Sequence, residues 1–356
     1  MRWAWLAALT FVACSDDGAD GPHAVTPAPV GAPWKTLGEW HLFVDVTTQA
    51  PSDGVHAYNV TSPLYSDYAS KHRFFWLPDG TTIAYHADTI WKLPVGAIAV
   101  KTFAYPIDAR DPSKGERLLE TRLLVHEPSG WVPHTYVYEA DGKTATRKVA
   151  GAIIPVSWID ASGAVRTNDY VVPNTNECQE CHAKAPDTEL LGLKTAQLEG
   201  LPRVDGKSLV DVFAAEGLFD VAPGAERLAY HAPDDTSASL SDRARAYLDA
   251  NCAHCHNPAG DASSKALYLD WAHTDPATNP SVNWGTCKVP TSAGGATCGY
   301  AFDVVPGDAE HSIMICRMMA TRGEFQMPPI GRRLVHDEGI ALIRAWIDSA
   351  EQDGCL

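Results

Sequence analysis

The pentapeptide Cys-x-x-Cys-His occurs twice in this chain, at residues 178–182 and 252–256. In this spacing two thiols can add to the vinyl groups of one porphyrin, while the following histidine binds its iron. The chain holds only 9 Cys and 14 His in 356 residues, so chance rarely produces two copies. A zinc site or a redox-active dithiol leaves the histidine after each second cysteine unexplained. The motifs predict two covalently bound haem c groups, attached at Cys178, Cys181, Cys252 and Cys255, with His182 and His256 as proximal iron ligands.

The first fourteen residues resemble a bacterial lipoprotein signal. Arg2 precedes an apolar run at residues 3–13, and Cys14 follows a small residue. The run has the length of a signal peptide and is too short to cross a membrane as a helix. We expect residues 1–13 to be a signal peptide, Cys14 to be lipidated and residues 14–35 to be a flexible tether. The predicted location is the periplasmic face of a bacterial membrane or the outer membrane, with plain secretion as the alternative.

Four further cysteines remain once Cys14 and the haem cysteines are set aside, and an even number suits disulfides in an oxidising compartment. Cys287 and Cys298 flank a loop rich in Pro, Gly, Ser and Thr, which makes them the natural local pair. That choice leaves Cys316 with Cys355. Four cysteines allow three connectivities, so the other pairings stay open.

Composition limits the partners. The chain is 45% hydrophobic, which is enough for a core and for two domains. Its formal net charge of -16 argues against nucleic acid binding. The expected partners are redox proteins that donate and accept electrons, together with a membrane that holds the lipid anchor.

Residues 36–173 are predicted to form an all-β domain, either a sandwich or a barrel-like sheet. Short runs rich in Val, Ile, Tyr, Phe, Trp and Thr alternate with turn signals such as Asp141-Gly142. Residues 71–76 mix cations with aromatic side chains. This segment could face a haem propionate and its ring, but a strand with a charged entry and a core face is the more ordinary interpretation.

Residues 174–238 are predicted to be a small module that carries the first haem. The chain leaves the β domain through residues 172–177, which have the pattern of a loop. No methionine occurs between Met1 and Met314, so the sixth iron ligand is not a nearby Met. His231, His273, a methionine from the C-terminal region and an open position remain as alternatives.

Residues 239–356 are predicted to surround the second haem. Ser239 or Ser241 can cap a helix at residues 243–253, and Asp337 begins an amphipathic helix near the C-terminus. A Met-Pro loop lies between the two helices. The predicted fold class is α+β multidomain, in which the β-rich domain precedes a mainly α-helical region.

A helix ending at Cys-x-x-Cys-His, a Met-Pro loop and an amphipathic C-terminal helix resemble a class I cytochrome c domain. The resemblance implies that Met327 is the distal ligand opposite His256. A thioether favours ferrous iron, so the second haem should have the higher potential. His254 is expected to be solvent-exposed. The remaining methionines are expected in the core of a helix, and they are Met314, Met318 and Met319.

The same ordered features resemble a family of predicted dihaem c-type cytochromes from Gram-negative bacteria. The matching stretches cover nearly the whole mature chain and are residues 63–71, 101–103, 120–124, 243–248, 251–256 and 327–332. The resemblance implies an exported protein with two covalent haems, and it implies no substrate. The sequence thus predicts an electron carrier rather than a catalyst. A dihaem peroxidase-like enzyme acting at an open first haem, and a redox- or ligand-sensing module, are the alternatives.

Overall fold

The computed structural model describes residues 24–184, 187–291, 297–321, 323, 325–351 and 355. The strands are β1 (Phe43–Asp45), β2 (Ala50–Pro51), β3 (Val55–Tyr58), β4 (Ser70–Trp76), β5 (Ile98–Pro106), β6 (Glu116–Glu127), β7 (Gly130–Tyr138), β8 (Ala145–Arg147), β9 (Ala152–Ile159), β10 (Val165–Val172), β11 (Ala183–Lys184) and β12 (Asp187–Thr188). The α-helices are α1 (Thr175–His182), α2 (Thr195–Glu199), α3 (Leu209–Ala215), α4 (Leu240–Asn251), α5 (Ile313–Met319) and α6 (Asp337–Asp348). Short 3-10 segments lie at Leu37–Trp40, Pro112–Lys114, Ser263–Lys265, Ser281–Trp284 and Thr297–Gly299.

Strands β3 to β8 form one antiparallel sheet in chain order, and the other strands form antiparallel pairs. Gly130 and Gly142 supply the positive φ angles at two of the sheet's turns. Because β3 and β8 do not pair within the described residues, the sheet is open and the barrel-like alternative is wrong.

The chain that precedes the sheet covers its first face. Val100 packs there with Trp40, which follows from the alternation of apolar residues along the strands. Val25 and Trp34 also pack against this core. Residues 24–35, the later part of the predicted tether, therefore contact the β-rich domain.

The second face of the sheet carries two apolar clusters with a charged row between them. At one end, side chains of β4, β5 and β6 pack against residues 190–219. At the other end, the sheet packs against β9 and β10. Between them, Arg73, Lys101 and Arg122 lie opposite one another on three neighbouring strands. We call these three residues the cation row.

The C-terminal region has one apolar core, in which Leu248 of α4, Ile315 of α5 and Ile343 of α6 pack together. The prediction that this region is mainly α-helical and cytochrome c-like is wrong. Its α-helices have 12, 7 and 12 residues, and helices of all kinds account for 21% of the structure. The long connection at residues 257–312 is rich in Pro and Gly, which interrupt helices. Its described parts, residues 257–291 and 297–312, form turns and short 3-10 segments instead.

The remaining cysteines form two disulfides, but the predicted local pairing is wrong. Cys287 is bonded to Cys355, and Cys298 is bonded to Cys316. The Cys287 N–H donates to the Val304 carbonyl at 2.9 Å, so this residue is held beside the segment that precedes α5. The segment around Cys298 instead lies against α5. Each bond thus joins a loop residue to a later part of the chain rather than closing the loop between Cys287 and Cys298 on itself.

None of the described helices is both long and apolar enough to cross a membrane. The predicted signal peptide and Cys14 lie outside the described residues.

Candidate haem-attachment sites

The second Cys-x-x-Cys-His motif follows α4 directly. Ser239 caps this helix by accepting a hydrogen bond from the Asp242 N–H at 3.0 Å. The helix ends at Asn251, and the Cys252 N–H still donates to the Leu248 carbonyl at 2.8 Å. The motif is therefore held at the C-terminal end of a buried helix, where the sequence predicted it.

One hydrogen bond orients the His256 ring. Its Nδ1 lies 3.3 Å from the Leu267 carbonyl, which can only accept, so Nδ1 carries the proton. This tautomer leaves the Nε2 lone pair for a metal ion, as in metal-binding histidines whose other nitrogen bonds a backbone carbonyl. Burial lowers the pKa of His256 to about 4, so the ring is neutral at neutral pH. His256 fits the role of a proximal iron ligand.

A cleft lies beside His256. Its volume is about 120 Å³, which is below the roughly 300–1,000 Å³ usual for cofactor sites. Cys252, Cys255 and Met327 line the same cleft. Its apolar walls include Leu267, Leu269, Ile313 and Ile340. The structure thus brings the predicted cysteines, proximal histidine and distal methionine to one place.

Arg332 fixes the loop that carries Met327. Its buried guanidinium donates to the Met327 carbonyl at 2.7 Å. It also donates to the carbonyls of Met318 and Ala320 at 2.9 and 2.8 Å. These contacts join the loop to the end of α5, so Arg332 fixes the position of the Met327 backbone. Sequence reasoning assigned no role to Arg332.

The other methionines differ in their surroundings. Met314 is buried in the C-terminal core, and Met318 packs against that core, as predicted. Both also border the cleft. Met319 is 49% exposed, so the prediction of a core position is wrong for it. Its position on α5 points it away from the apolar stripe.

The β-rich domain reaches the second site through residues 63–71. The Tyr65 N–H donates to the Asn251 Oδ1 at 2.7 Å. The Tyr65 ring stacks on His336 with 4.2 Å between ring centroids, and both rings line the cleft. This stretch therefore joins the sheet to the second attachment site.

The first motif lies within α1. Asn174 Oδ1 accepts hydrogen bonds from the N–H groups of Asn176 and Glu177, while Glu177 accepts from the Asn174 N–H at 2.8 Å. This reciprocal arrangement begins the helix at Thr175, so the predicted loop through residue 177 is wrong. Asn followed three residues later by Glu is a visible N-terminal signature, which the sequence analysis missed.

The His182 ring is held by a backbone carbonyl at Nδ1, as the His256 ring is in the second motif. Its Nδ1 lies 2.9 Å from the Glu189 carbonyl, which leaves Nε2 for a metal ion. Burial lowers the pKa of His182 to about 4, with smaller contributions from Lys101 and Arg122. His182 therefore also fits the role of a neutral proximal ligand.

The two motifs meet in the structure. A side-chain hydrogen bond joins Cys181 to Cys255, and together with burial it raises the pKa of the Cys181 thiol. His254 also forms a hydrogen bond with Cys181. Its side chain is partly buried, so the prediction that it is solvent-exposed is wrong. Two motifs whose corresponding residues lie 74 positions apart in sequence thus form one continuous site.

The two histidines considered as sixth ligands of the first haem have other partners. His231 Nδ1 lies 3.2 Å from Asp235, and His273 Nδ1 lies 2.8 Å from Asp270. In both residues the carboxylate pairs with Nδ1, which leaves Nε2 as the nitrogen that could bind iron. The geometry therefore does not favour either histidine as the sixth ligand.

The residues present fit haem at both motifs: paired thiols, a neutral histidine with Nε2 available and, at the second motif, a cleft that reaches Met327. Within the described part of the chain, no group of three or more His, Cys, Asp or Glu side chains is arranged to hold a metal ion. The chain matches no known protein-family profile, no curated protein and no solved structure.

Proposed function

We propose that this chain is a dihaem c-type cytochrome that transfers electrons. The contact between Cys181 and Cys255 carries the proposal, because it places the two attachment motifs side by side. Groups bound at adjacent motifs can exchange electrons without a third carrier. A chain that used two independent sites would have no need to bring them into contact.

Haem supplies a one-electron iron couple when it is bound. The chain's own residues hold and tune it. Cys178, Cys181, Cys252 and Cys255 attach the rings, and His182 and His256 present neutral nitrogens to the iron. Met327 offers a soft thioether beside His256, which favours the ferrous state there. The second site is therefore the expected resting place of the electron.

The proposal places the protein outside the cytoplasm, anchored through Cys14 and facing redox partner proteins. The acidic balance of the chain, -16 formally, suits partners with basic patches. Cys14→Ser should release the protein from membranes while both haems stay attached. Membrane fractionation followed by haem staining tests this step, and a variant that fractionates like the wild type contradicts it.

The spin state of the two haems tests the function. We expect electron paramagnetic resonance and near-infrared magnetic circular dichroism of the oxidised protein to show two low-spin, six-coordinate haems. We also expect a magnetic interaction between them, because their attachment cysteines are in contact. A high-spin first haem that consumes peroxide contradicts the carrier and favours the peroxidase-like alternative. A high-spin first haem that only binds ligands favours a sensing module.

A further inference from the structure

The cation row is an unusual feature for a sheet face that packs against other parts of the chain. Arg73 pairs with Lys101, and Lys101 pairs with Arg122, across β4, β5 and β6. Directly opposite side chains of neighbouring strands lie about 5 Å apart, and like charges in such positions are destabilising. Lys71 adds a fourth cation in the next position along β4, 5.9 Å from the Phe103 ring centre. Four cations therefore share one patch of the second face.

The carboxylates of the chain compensate only part of this charge. Arg122 donates to Glu120, with 2.9 Å between Nε and Oε2, and Glu120 also accepts from the Tyr170 hydroxyl at 2.6 Å. Within the described residues, Arg73 and Lys101 form no ion pair. Burial, reinforced by Arg73, lowers the pKa of Lys101 well below its ordinary value. Desolvated cations are costly unless an anion pairs with them.

The cation row faces the first attachment motif. Val172 packs in the apolar cluster at one end of the second face, and Leu190 packs in the cluster at the other end. Helix α1, which carries the first motif, lies between these two positions in the chain and contacts β7, the strand next to β6. The missing anion should therefore belong to whatever occupies this motif. Haem carries two carboxylates, and Arg and Lys are the side chains that pair with carboxylates best.

We propose that Arg73, Lys101 and Arg122 bind the propionate carboxylates of the haem attached at Cys178 and Cys181. This inference rests on the proposed function and extends it by assigning the sheet a task at the first haem. A free oxyanion from solution offers the same chemistry from a second source. Cations beside an iron centre favour its reduced form, so the cation row should raise the potential of the first haem.

The test uses the mature holoprotein with the substitution Lys101→Met, which removes one charge from the row. Lys143→Met, at the exposed turn between β7 and β8, is the matched control. In Lys101→Met we expect the equilibrium constant for reduction of the first haem to fall about tenfold, which is about 59 mV for a one-electron couple. The control should change it by less than about twofold, because exposed distant charges are screened. Potentiometric titration with near-infrared spectra separates the two haems.

Haem count by intact mass separates failure of this inference from failure of the proposed function. An unchanged potential with two haems attached overturns the inference alone, whereas a wild-type protein without a haem at Cys178 overturns the function as well. A wild-type potential that shifts with inorganic phosphate means that the cation row takes a free oxyanion, which also overturns the inference. A change of spin state in Lys101→Met makes Lys101 an iron ligand, with the same consequence. If Lys101→Met does not fold, Arg73→Met provides the same test.

Discussion

The two Cys-x-x-Cys-His motifs share a sequence but differ in surroundings. In both, a backbone carbonyl holds the histidine Nδ1, at 2.9 Å for His182 and 3.3 Å for His256. The second motif lies at the end of a buried helix beside a cleft that Met327 also lines. The first lies against the sheet, on the face that carries the cation row.

Under the proposed function, the pentapeptide would determine attachment and the proximal ligand, while the surrounding fold would set the chemistry. Met327 would give the second haem a soft ligand, whereas the cation row would give the first haem positive charge. Both would favour ferrous iron, Met327 through a bond and the cation row through space. Substitution of Met327 should therefore change the near-infrared band and the ligand binding of the second haem, whereas substitution in the cation row should change the potential of the first haem.

The largest effect is expected from Met327→Ala. Loss of the thioether should lower the equilibrium constant for reduction of the second haem more than about a hundredfold, because axial ligands set haem potentials over a range of about 0.8 V. The near-infrared charge-transfer band expected of methionine-bound ferric haem should disappear, and carbon monoxide should bind. Met319→Ala is the control, because Met319 is half-exposed on the same stretch of chain. If Met327→Ala keeps its band and potential, Met314, Met318 or a histidine holds the site instead.

Arg332→Met should weaken the same bond indirectly. The Met327 loop loses the guanidinium that holds its carbonyl, so we expect the methionine–iron bond to weaken about 10- to 100-fold, as for other groups that orient metal ligands. Competition with carbon monoxide measures this loss. Arg333→Met is the matched control, because the Arg333 guanidinium is partly exposed and lies 3.9 Å from the Asp169 carboxylate. Equal behaviour of the two variants contradicts the positioning role.

Asp67→Asn should have the smallest effect, and it acts on the connection between the two regions. The Asp67 carboxylate accepts hydrogen bonds from the N–H groups of Arg333 and Leu334 at 2.8 Å. The other carboxylate oxygen, Oδ2, accepts from the Asn168 amide nitrogen at 3.0 Å. An amide nitrogen in place of Oδ2 would leave that buried donor unsatisfied, which should cost about 1–3 kcal/mol of unfolding free energy. Urea unfolding of the holoprotein measures the change. Asp79→Asn, in an exposed turn, should change stability by less than about 0.5 kcal/mol. If Asp67→Asn loses no more unfolding free energy than this control, the Asp67 contact does not stabilise the protein.

Local patterns predicted the elements that depend on local information. Helix α6 places Ile340, Ile343 and Ile347 in the core, as their spacing indicated. Most of the short runs of β-forming residues in the β-rich domain are strands. The run at residues 82–86 forms only isolated bridges, because its apolar side chains pack against a later part of the chain. The spacing of Cys-His motifs likewise requires no knowledge of the fold.

Features that depend on register or on long-range packing could not be predicted. Arg73, Lys101 and Arg122 are dispersed in sequence, and only strand pairing brings them together. The disulfide partner of Cys287 lies 68 residues away, beyond any local rule. The contact between Cys181 and Cys255 also arises only when the β-rich domain and the C-terminal region pack together.

Intact mass of the exported protein tests the central claim most directly. The chain should be expressed with a cytochrome c maturation system and purified from the membrane fraction. The exported protein should gain two haems over the processed polypeptide, and Cys178→Ala plus Cys181→Ala and Cys252→Ala plus Cys255→Ala should each reduce the gain to one. A wild-type protein that gains no haem, or that carries zinc on these cysteines instead, would contradict covalent attachment of haem.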